Sequence, residues 1–139
     1  MHRRVSLLFL VVVLAIACGS TGSSRPANIS APELRAGIAG TVFFGSGTSA
    51  PVTIDVAVTN TATVPIVLRR LEVDSPGMAS YGLIRTARTM RETLAPGETK
   101  TVSVFATAVT TVRNPNEPLN IRVIADFENG KDRWREIKM

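Results

Sequence analysis

The sequence of 139 residues has almost none of the side chains that serve nucleophilic and metal chemistry, with one cysteine, Cys18, and one histidine, His2. A chain that lost residues 1–17 would have no imidazole, and it would have no free thiol if Cys18 were acylated. Ser-His-Asp and Cys-His nucleophile systems would then be excluded. Zinc and copper sites built on imidazole and thiolate would be excluded as well. We therefore expect no cofactor and no metal, and a fold that depends on its hydrophobic core because no disulfide can form within the chain.

The N-terminus has the three parts of a secretory signal. Arg3 and Arg4 give a positive start, and the apolar run Val5–Ala17 follows and ends in small residues. Its uninterrupted part, Leu7–Ala17, has 11 residues, whereas a helix needs about 20 to cross a bilayer. The Ser- and Gly-rich segment Ser20–Ser24 that comes next is typical of a flexible tether.

The residues around Cys18 resemble the cleavage site of bacterial lipoprotein signal peptides. Ala15–Ala17 precede the cysteine and Gly19 follows it, although the family's usual Leu three places before the cysteine is Ala15 here and Leu14 stands one step further out. The resemblance implies cleavage after Ala17, a diacylglyceryl thioether on Cys18 and acylation of its new amino group by a palmitate-type chain. Two or more acyl chains anchor a protein stably where one does not.

This resemblance implies a location in the bacterial cell envelope, with the membrane as a partner through the lipid on Cys18. In a Gram-negative cell, Gly19 after the cysteine implies the periplasmic face of the outer membrane. The alternative is an ordinary cleaved signal followed by a chance cysteine. A lone cysteine in an exported protein needs a role, however, and this favours the lipoprotein interpretation.

The charge of the exported part is small. Loss of Arg3 and Arg4 lowers the number of Lys and Arg from 16 to 14, against 11 Asp and Glu, and leaves a net charge of +3. Nucleic-acid binding favours dense basic patches, so we expect no nucleic-acid partner. A small positive excess still suits anionic lipid or cell-wall surfaces.

Alternating apolar residues dominate the chain from Gly40 onward. In the segment 52–58 they fall on one face of an extended chain and are Val52, Ile54, Val56 and Val58. A period of two with β-branched residues predicts a half-buried strand. In the next strand the apolar residues lie at even positions before Arg69–Arg70 and at odd positions after it. This change predicts either a bulge or a strand that passes from one sheet to the other.

The segment 74–92 predicts less regular structure. Ser80–Ile84 suits a short strand, and arginines recur every third residue after it, at Arg85, Arg88 and Arg91. We expect an exposed irregular or edge strand there, with Met90 and Leu94 turned inward. The dipeptide Pro96–Gly97 then predicts a type II turn.

The dipeptide Asn129–Gly130 predicts a β-hairpin, because type I′ turns need positive φ at both central residues. With these two residues as the loop, Glu128 faces Lys131, Asp126 faces Arg133 on the outer side, and Ala125 faces Trp134 on the inner side. Trp134 is then a core residue.

Short strands separated by turns over about 100 residues predict an all-β fold, an antiparallel sandwich of about seven strands. Three segments resemble immunoglobulin-like domains of bacterial envelope proteins, namely Val56–Asn60, Leu94–Thr99 and Leu119–Trp134. The chain lacks the Cys–Cys–Trp arrangement of antibody domains. We expect a signal peptide over residues 1–17, a lipidated cysteine and flexible tether over 18–39, and an immunoglobulin-like sandwich over 40–139.

The remaining candidate groups for chemistry are few. Two acid pairs, Glu72/Asp74 and Asp126/Glu128, each lie on one face of a strand, and paired carboxylates can hydrolyse glycosides. Cross-strand pairing with basic residues is the more ordinary role for such acids. Met78 and Met90 alone make a poor copper(I) site.

A possible ligand or partner surface consists of Tyr81, Arg85, Arg88 and Arg91. Tyr81 and Trp134 are the only large amphipathic rings, and an exposed ring can stack on a sugar. Arg69 and Arg70 extend the basic set, which suits anionic lipid or cell wall, although solubilising side chains are the simpler explanation. Phe105 falls on the face opposite the apolar residues of its strand, where it is either a surface patch for a partner or covered by the extended lead-in segment 25–39.

We therefore expect a non-catalytic, membrane-anchored lipoprotein whose sandwich acts as a protein-interaction or accessory module of the cell envelope. Edge strands can bind an incoming strand through main-chain hydrogen bonds and need no special residues. The alternative is a lipoprotein that binds glycan or peptidoglycan, and a carboxylate-only hydrolase is a third, less favoured possibility.

Overall fold

The computed structural model describes residues 24–77, 80–112 and 118–139. Eight strands form in this part of the chain: β1 Glu33–Ala39, β2 Ser49–Thr59, β3 Ile66–Asp74, β4 Tyr81–Leu83, β5 Thr86–Leu94, β6 Thr99–Thr110, β7 Arg122–Asn129 and β8 Asp132–Lys138. They make two antiparallel sheets, sheet 1 in the order β1-β2-β6-β4 and sheet 2 in the order β5-β3-β7-β8. The predicted all-β sandwich is confirmed. The predicted signal peptide, Cys18 and Met78 lie outside the described residues.

The core lies between the two sheets and is built from the alternating positions of each strand. Its fully buried large apolar side chains are Ile54, Val56, Val58 and Val104 from sheet 1 and Ile66, Leu68, Leu71, Val73, Leu94, Val123 and Phe127 from sheet 2. Burying one side chain of this size contributes about 1.5–3 kcal/mol. Phe127 stacks on Trp134, with ring centroids 5.7 Å apart, so the inward orientation predicted for the tryptophan is confirmed.

Two local predictions along the chain are confirmed. The pairing of β3 with both neighbours shifts between Leu68 and Arg70, and this bulge places Leu68 and Leu71 on the same buried face although they are three residues apart. Gly97 has φ of 75°, as the second central residue of a type II turn requires.

The chain changes sheets between β4 and β5. Tyr81–Leu83 pair with β6 in sheet 1, and after Ile84 and Arg85 the chain continues as β5 at the edge of sheet 2. The predicted short strand and edge strand are thus confirmed, with Leu94 buried and Met90 packed on the core.

The tether predicted over 18–39 is wrong in its last part. Glu33–Ala39 form β1, which pairs along its full length with β2, and Ile29 and Leu34 are buried in the core. The sequence pattern did not predict this strand, because an edge strand buries few side chains and shows little alternation. Only Leu34 among its seven residues is buried. The sandwich therefore begins before residue 40.

The predicted register of the last hairpin is also wrong. The two-residue loop is Gly130–Lys131, so Asn129 faces Asp132 and Trp134 faces Phe127 instead of Ala125. Positive φ occurs at Gly130 (59°) and at no described non-glycine residue, which is the pattern of a type II′ turn and not of type I′. The shift is two residues, an even number, and it leaves every side chain on its predicted face.

In the described residues no helix has the length and the apolar character needed to cross a membrane.

Candidate functional site

The outer face of sheet 2 carries eleven charged side chains. Four carboxylates lie on it, at Glu72, Asp74, Asp126 and Glu128, with side chains 6–28% exposed. We call the basic residues around them the arginine face; they are Arg69, Arg70, Arg85, Arg91, Arg122, Arg133 and Arg135, with side chains 29–76% exposed. The carboxylates therefore lie low on the sheet, and the guanidinium groups form its outer layer.

Asp74 has the tightest ion pair of the arginine face. Arg122 donates from Nε to Oδ1 over 2.7 Å and from Nη2 to Oδ2 over 2.6 Å, while Arg85 donates to Oδ2 over 3.2–3.3 Å. The hydrogen bonds from Arg122 lower the pKa of Asp74 below 3.8 although its burial acts in the opposite direction, and the same contact raises the pKa of Arg122. Glu72 is held beside it by Arg70 at 2.6 Å and Arg85 at 3.2 Å.

Asp126 forms a second bidentate pair, with Arg135. The distances are 2.7 Å from Nε to Oδ1 and 3.1 Å from Nη2 to Oδ2, and this contact raises the pKa of Arg135. Arg133, the partner predicted from the hairpin, lies instead opposite Glu128. The prediction that these acids pair across strands is confirmed, but the partners are displaced by the register of the turn.

Glu128 differs from the other acids because three guanidinium groups share it loosely. Arg69 on β3, Arg91 on β5 and Arg133 on β8 approach its carboxylate at 3.4, 3.6 and 3.7 Å. The Glu128 side chain is only 10% exposed, whereas those of Arg91 and Arg133 are 72% and 76% exposed. We call these four residues the Glu128 cluster; its formal charge is +2.

The geometry of the acids gives little support to hydrolysis. They lie on an open sheet face under arginines, and the pKa of Asp74 is lowered, whereas a general acid working near neutral pH needs a raised pKa. Within the described ranges, no group of three or more His, Cys, Asp or Glu residues is arranged to hold a metal ion.

A groove lies on the opposite side of β5, between that strand and β6. It has a volume of about 540 Å³ and is lined by Arg88, Met90, Glu92, Lys100, Thr101, Val102, Ser103 and Phe105. Lys100 pairs with Glu92 at 3.2 Å, and Arg88 donates a hydrogen bond of 3.0 Å to the carbonyl oxygen of Ser103. Phe105 stands at the groove with 76% of its surface exposed, so the described lead-in segment does not cover it.

The groove exists because β4 is short. Beyond Leu83, the pairing partner of Ala108, only the hydrogen bond from Ile84 N to the carbonyl oxygen of Thr107 continues the contact of β4 with β6. No described strand pairs with β6 on this side between Thr99 and Ala106. The edge of β6 is therefore open where the chain has crossed to sheet 2.

The four residues predicted as one surface do not lie together. Tyr81 is half-buried, and its ring meets that of Phe44 edge to face at 5.4 Å. Arg85 and Arg91 belong to separate parts of the arginine face, and Arg88 points to the groove. The three arginines are spaced three residues apart, and an odd spacing puts successive side chains on opposite sides of an extended chain.

Comparison with known proteins adds no family. No protein-family model matches the chain, and no curated protein matches it. One similar solved structure is titled "Crystal structure of protein from Archaeoglobus fulgidus", with 13% identity and a TM-score of 0.41 over 79% of this chain and 90% of that chain. This similarity carries no functional information.

Proposed function

We propose that the protein is a membrane-anchored bacterial envelope lipoprotein whose immunoglobulin-like sandwich is a non-catalytic protein-interaction module. In this proposal Cys18 carries the lipid and the sandwich binds an extended segment of another envelope protein. The observation that carries the interaction is the open edge of β6 beside the groove.

Main-chain groups support this mode of binding. The main-chain carbonyl of Thr107 and the main-chain N–H of Thr111 point towards β4. The first accepts a hydrogen bond from Ile84 N, and the second donates one to the carbonyl oxygen of Ser80. Main-chain groups alternate sides along a strand, so those of Thr101 and Phe105 point to the same open side. An added strand would pair with them, and the groove with Phe105 would receive its side chains.

Arg88 partly covers the open edge to which the partner strand would bind. Its hydrogen bond to the Ser103 carbonyl occupies one acceptor of the open edge, and a charge at an edge discourages pairing with unrelated strands. A partner strand would displace this side chain, and an acidic residue in the partner would give it a new contact.

Glycan binding is less well supported. An exposed aromatic ring beside arginines would favour it, but Trp134 is 3% exposed and Tyr81 packs against Phe44. Hydrolysis is less well supported because each of the four acids has an arginine within 4 Å.

Photo-crosslinking in the producing cells tests the interaction. A photoreactive amino acid replaces Thr101 or Phe105 at the open edge, and Arg35 on the far strand of the same sheet serves as the control. We expect one protein adduct from both edge positions and none from the control. Addition of that purified partner should slow amide hydrogen exchange at Thr101 and Phe105. Adducts with glycan only, or a partner that leaves these amides unprotected, would contradict the proposal.

The anchor needs its own measurement. The intact mass of the native protein should correspond to the chain from Cys18 with the added lipid, and Cys18→Ser should release the protein into the soluble fraction. An unmodified thiol on a water-soluble native protein would overturn the proposed location.

A further inference from the structure

A pocket lies between the two sheets, where β1 at the edge of sheet 1 meets the start of β7 and the end of β8 in sheet 2. It has a volume of about 370 Å³, near the lower end of the range for small-molecule sites. Its aliphatic lining comes from Leu34, Ala36, Leu119, Ile121 and Val123, and Lys138 lines it as well. The pocket therefore combines an apolar wall with a cation.

The pocket exists because the core covers only one end of β1. Leu34, Ala36 and Ile38 lie on the same side of this strand and pair with buried residues of β2. Leu34 is itself buried, whereas Ala36 and Ile38 are exposed. The described residues of sheet 2 therefore leave the core-facing side of β1 open beyond Leu34.

The charged residues of β8 explain why the core ends there. Trp134, Glu136 and Lys138 share the core-facing side of this strand, and only Trp134 is buried. Burial of an unpaired charge is costly, so the core does not continue past the tryptophan. Glu136 pairs with Arg25 at 2.6 Å.

Lys138 is different, because no carboxylate of the described residues forms an ion pair with it. The other cation that lines the pocket, Arg35, already pairs with Glu33 at 2.7 Å. An anionic group bound at the pocket would therefore find its partner in Lys138.

We infer that this pocket binds a medium-chain fatty acid, with the carboxylate at Lys138 and the chain along the aliphatic lining. Each CH₂ group that enters the pocket removes apolar surface from water. The carboxylate gives the ammonium group a charged hydrogen-bond acceptor. A lining with few polar groups suits a ligand whose only polar group is its carboxylate, because no further buried polar atom then needs a partner.

The inference goes beyond the proposed function and does not depend on it. The pocket lies beside β1, whereas the proposed strand partner binds at the open edge of β6, and β2 separates the two strands in sheet 1. Failure at one site would leave the other unaffected.

The test follows the methyl NMR signals of the full-length protein in nanodiscs of neutral phospholipid. Hexanoate is added at neutral pH and constant ionic strength, and empty nanodiscs correct for the hexanoate that enters the bilayer. We expect saturable shifts at the methyl groups of Leu34 and Ile121, while those of Ile66 stay unchanged. The absence of a saturable shift, or equal shifts at all three residues, would overturn the inference.

Related ligands separate the contribution of the charge from that of the chain. Butyrate has two CH₂ groups fewer than hexanoate and should bind about tenfold more weakly. Hexylammonium has the same chain with a positive charge and should bind more weakly than hexanoate. If either ligand bound as tightly as hexanoate, the inference would fail. Tighter binding of a short peptide with an apolar C-terminus would assign the pocket to a peptide and contradict it as well.

Charge variants test the role of Lys138. Lys138→Gln should weaken hexanoate binding about fivefold, as expected for one exposed charged contact. Lys131→Gln removes the same charge from the loop between β7 and β8 and should leave binding unchanged. Equal weakening by the two substitutions would reduce the effect to net charge and contradict the inference.

A second pair of variants tests the pocket itself. Ala36→Leu places a larger side chain in the pocket and should abolish the shifts that hexanoate causes at Ile121. Ala39→Leu makes the same change on the other face of β1 and should leave them intact. Both alanines are exposed, so the amide spectra should show a folded domain in each variant. Unchanged hexanoate binding by folded Ala36→Leu would show that the ligand lies elsewhere.

Discussion

The outer faces of the two sheets differ sharply although their inner faces are alike. Sheet 1 presents small and β-branched residues outward, such as Thr53, Ala57 and Thr101, and the charged side chains on its described outer face are Glu33, Arg35 and Asp55. Sheet 2 presents four acids and the seven residues of the arginine face. Both sheets bury the same kind of branched aliphatic side chain. The inner face is dictated by the fold, whereas the outer face is free to carry function.

The two faces also hold their strands together in different ways. On sheet 1 the long ladder of β2 with β6 is supported by neutral contacts such as the 2.7 Å hydrogen bond between the hydroxyl oxygens of Thr59 and Thr99. On sheet 2 ion pairs bridge neighbouring strands, as between Asp126 on β7 and Arg135 on β8. Salt and pH should therefore act on sheet 2 and leave sheet 1 largely unaffected.

The largest losses of stability are expected for substitutions in the core, where the two sheets bury similar side chains. Ile54→Ala in sheet 1 and Leu71→Ala in sheet 2 should each lower the free energy of unfolding by about 2–5 kcal/mol, because both side chains are fully buried. Denaturant unfolding followed by the fluorescence of Trp134 measures both. Thr53→Ala, an outward neighbour, is the control and should cost far less. A large loss for one sheet alone would show that the two inner faces do not share one core.

The next effect sharpens the contrast between the outer faces. Asp74→Asn should cost about 2 kcal/mol at pH 7 because it removes a buried acceptor of charged hydrogen bonds. Asp55→Asn should cost less, because the partner of Asp55 is the neutral Ser103 hydroxyl at 2.6 Å. Equal losses in denaturant unfolding would remove the distinction between the two faces.

The pH dependence of the Asp74 variant follows from the direction of its pKa shift. The pKa of Asp74 in the folded protein lies below the value of 3.8 expected for the unfolded chain. Its stabilising contribution is therefore complete above pH 3.8 and is lost as the pH falls through the folded-state pKa. The difference between wild type and Asp74→Asn should shrink in acid, and a difference that grew there would reverse the assignment.

A smaller effect should depend on salt. Arg135→Gln removes a half-exposed cross-strand pair and should cost about 0.5–1 kcal/mol in low salt, less in 1 M NaCl. Thr59→Ala in sheet 1 should show no comparable dependence. Thermal unfolding at two salt concentrations separates the two, and the comparison fails if both variants respond equally to salt.

The smallest change in stability is expected for Arg88→Ala, below about 0.5 kcal/mol, as for an ordinary surface substitution. Its effect should be on association, because the carbonyl of Ser103 loses its cover and the edge of β6 becomes fully open. Sedimentation velocity should show more self-association than in the wild type, while Arg35→Ala remains unchanged. Without this difference, Arg88 does not protect the edge.

Local sequence patterns predicted the parts of the fold that depend on neighbours along the chain. The alternation of Val52–Val58, the bulge at Arg69–Arg70 and the turn at Pro96–Gly97 all follow from residues close in sequence. The hairpin was predicted at the right place with the wrong pairs, because Asn129–Gly130 allows its glycine to be either the first or the second residue of the loop. The structure uses Gly130 as the first, and the side chain of Asn129 instead donates to the carbonyl oxygen of Pro65 at 2.7 Å.

The candidate sites were less predictable because they join residues far apart in sequence. The Glu128 cluster spans positions 69 to 133 and depends on the strand order β5-β3-β7-β8. The groove depends on where the chain leaves sheet 1 after Leu83. Arg85, Arg88 and Arg91 were recognised as basic, but their assignment to three different surroundings came only with the pairing of the strands.

The sequence by itself determined which side chains of the alternating strands face the core, because a period of two allows only one face of each strand to meet it. It also determined the scarcity of imidazole and thiol. Tertiary structure alone decided that Glu33–Ala39 is a strand, which arginine meets which acid, and which edge stays open. These features depend on strand order and register, and neither is encoded in the local alternation of any single strand.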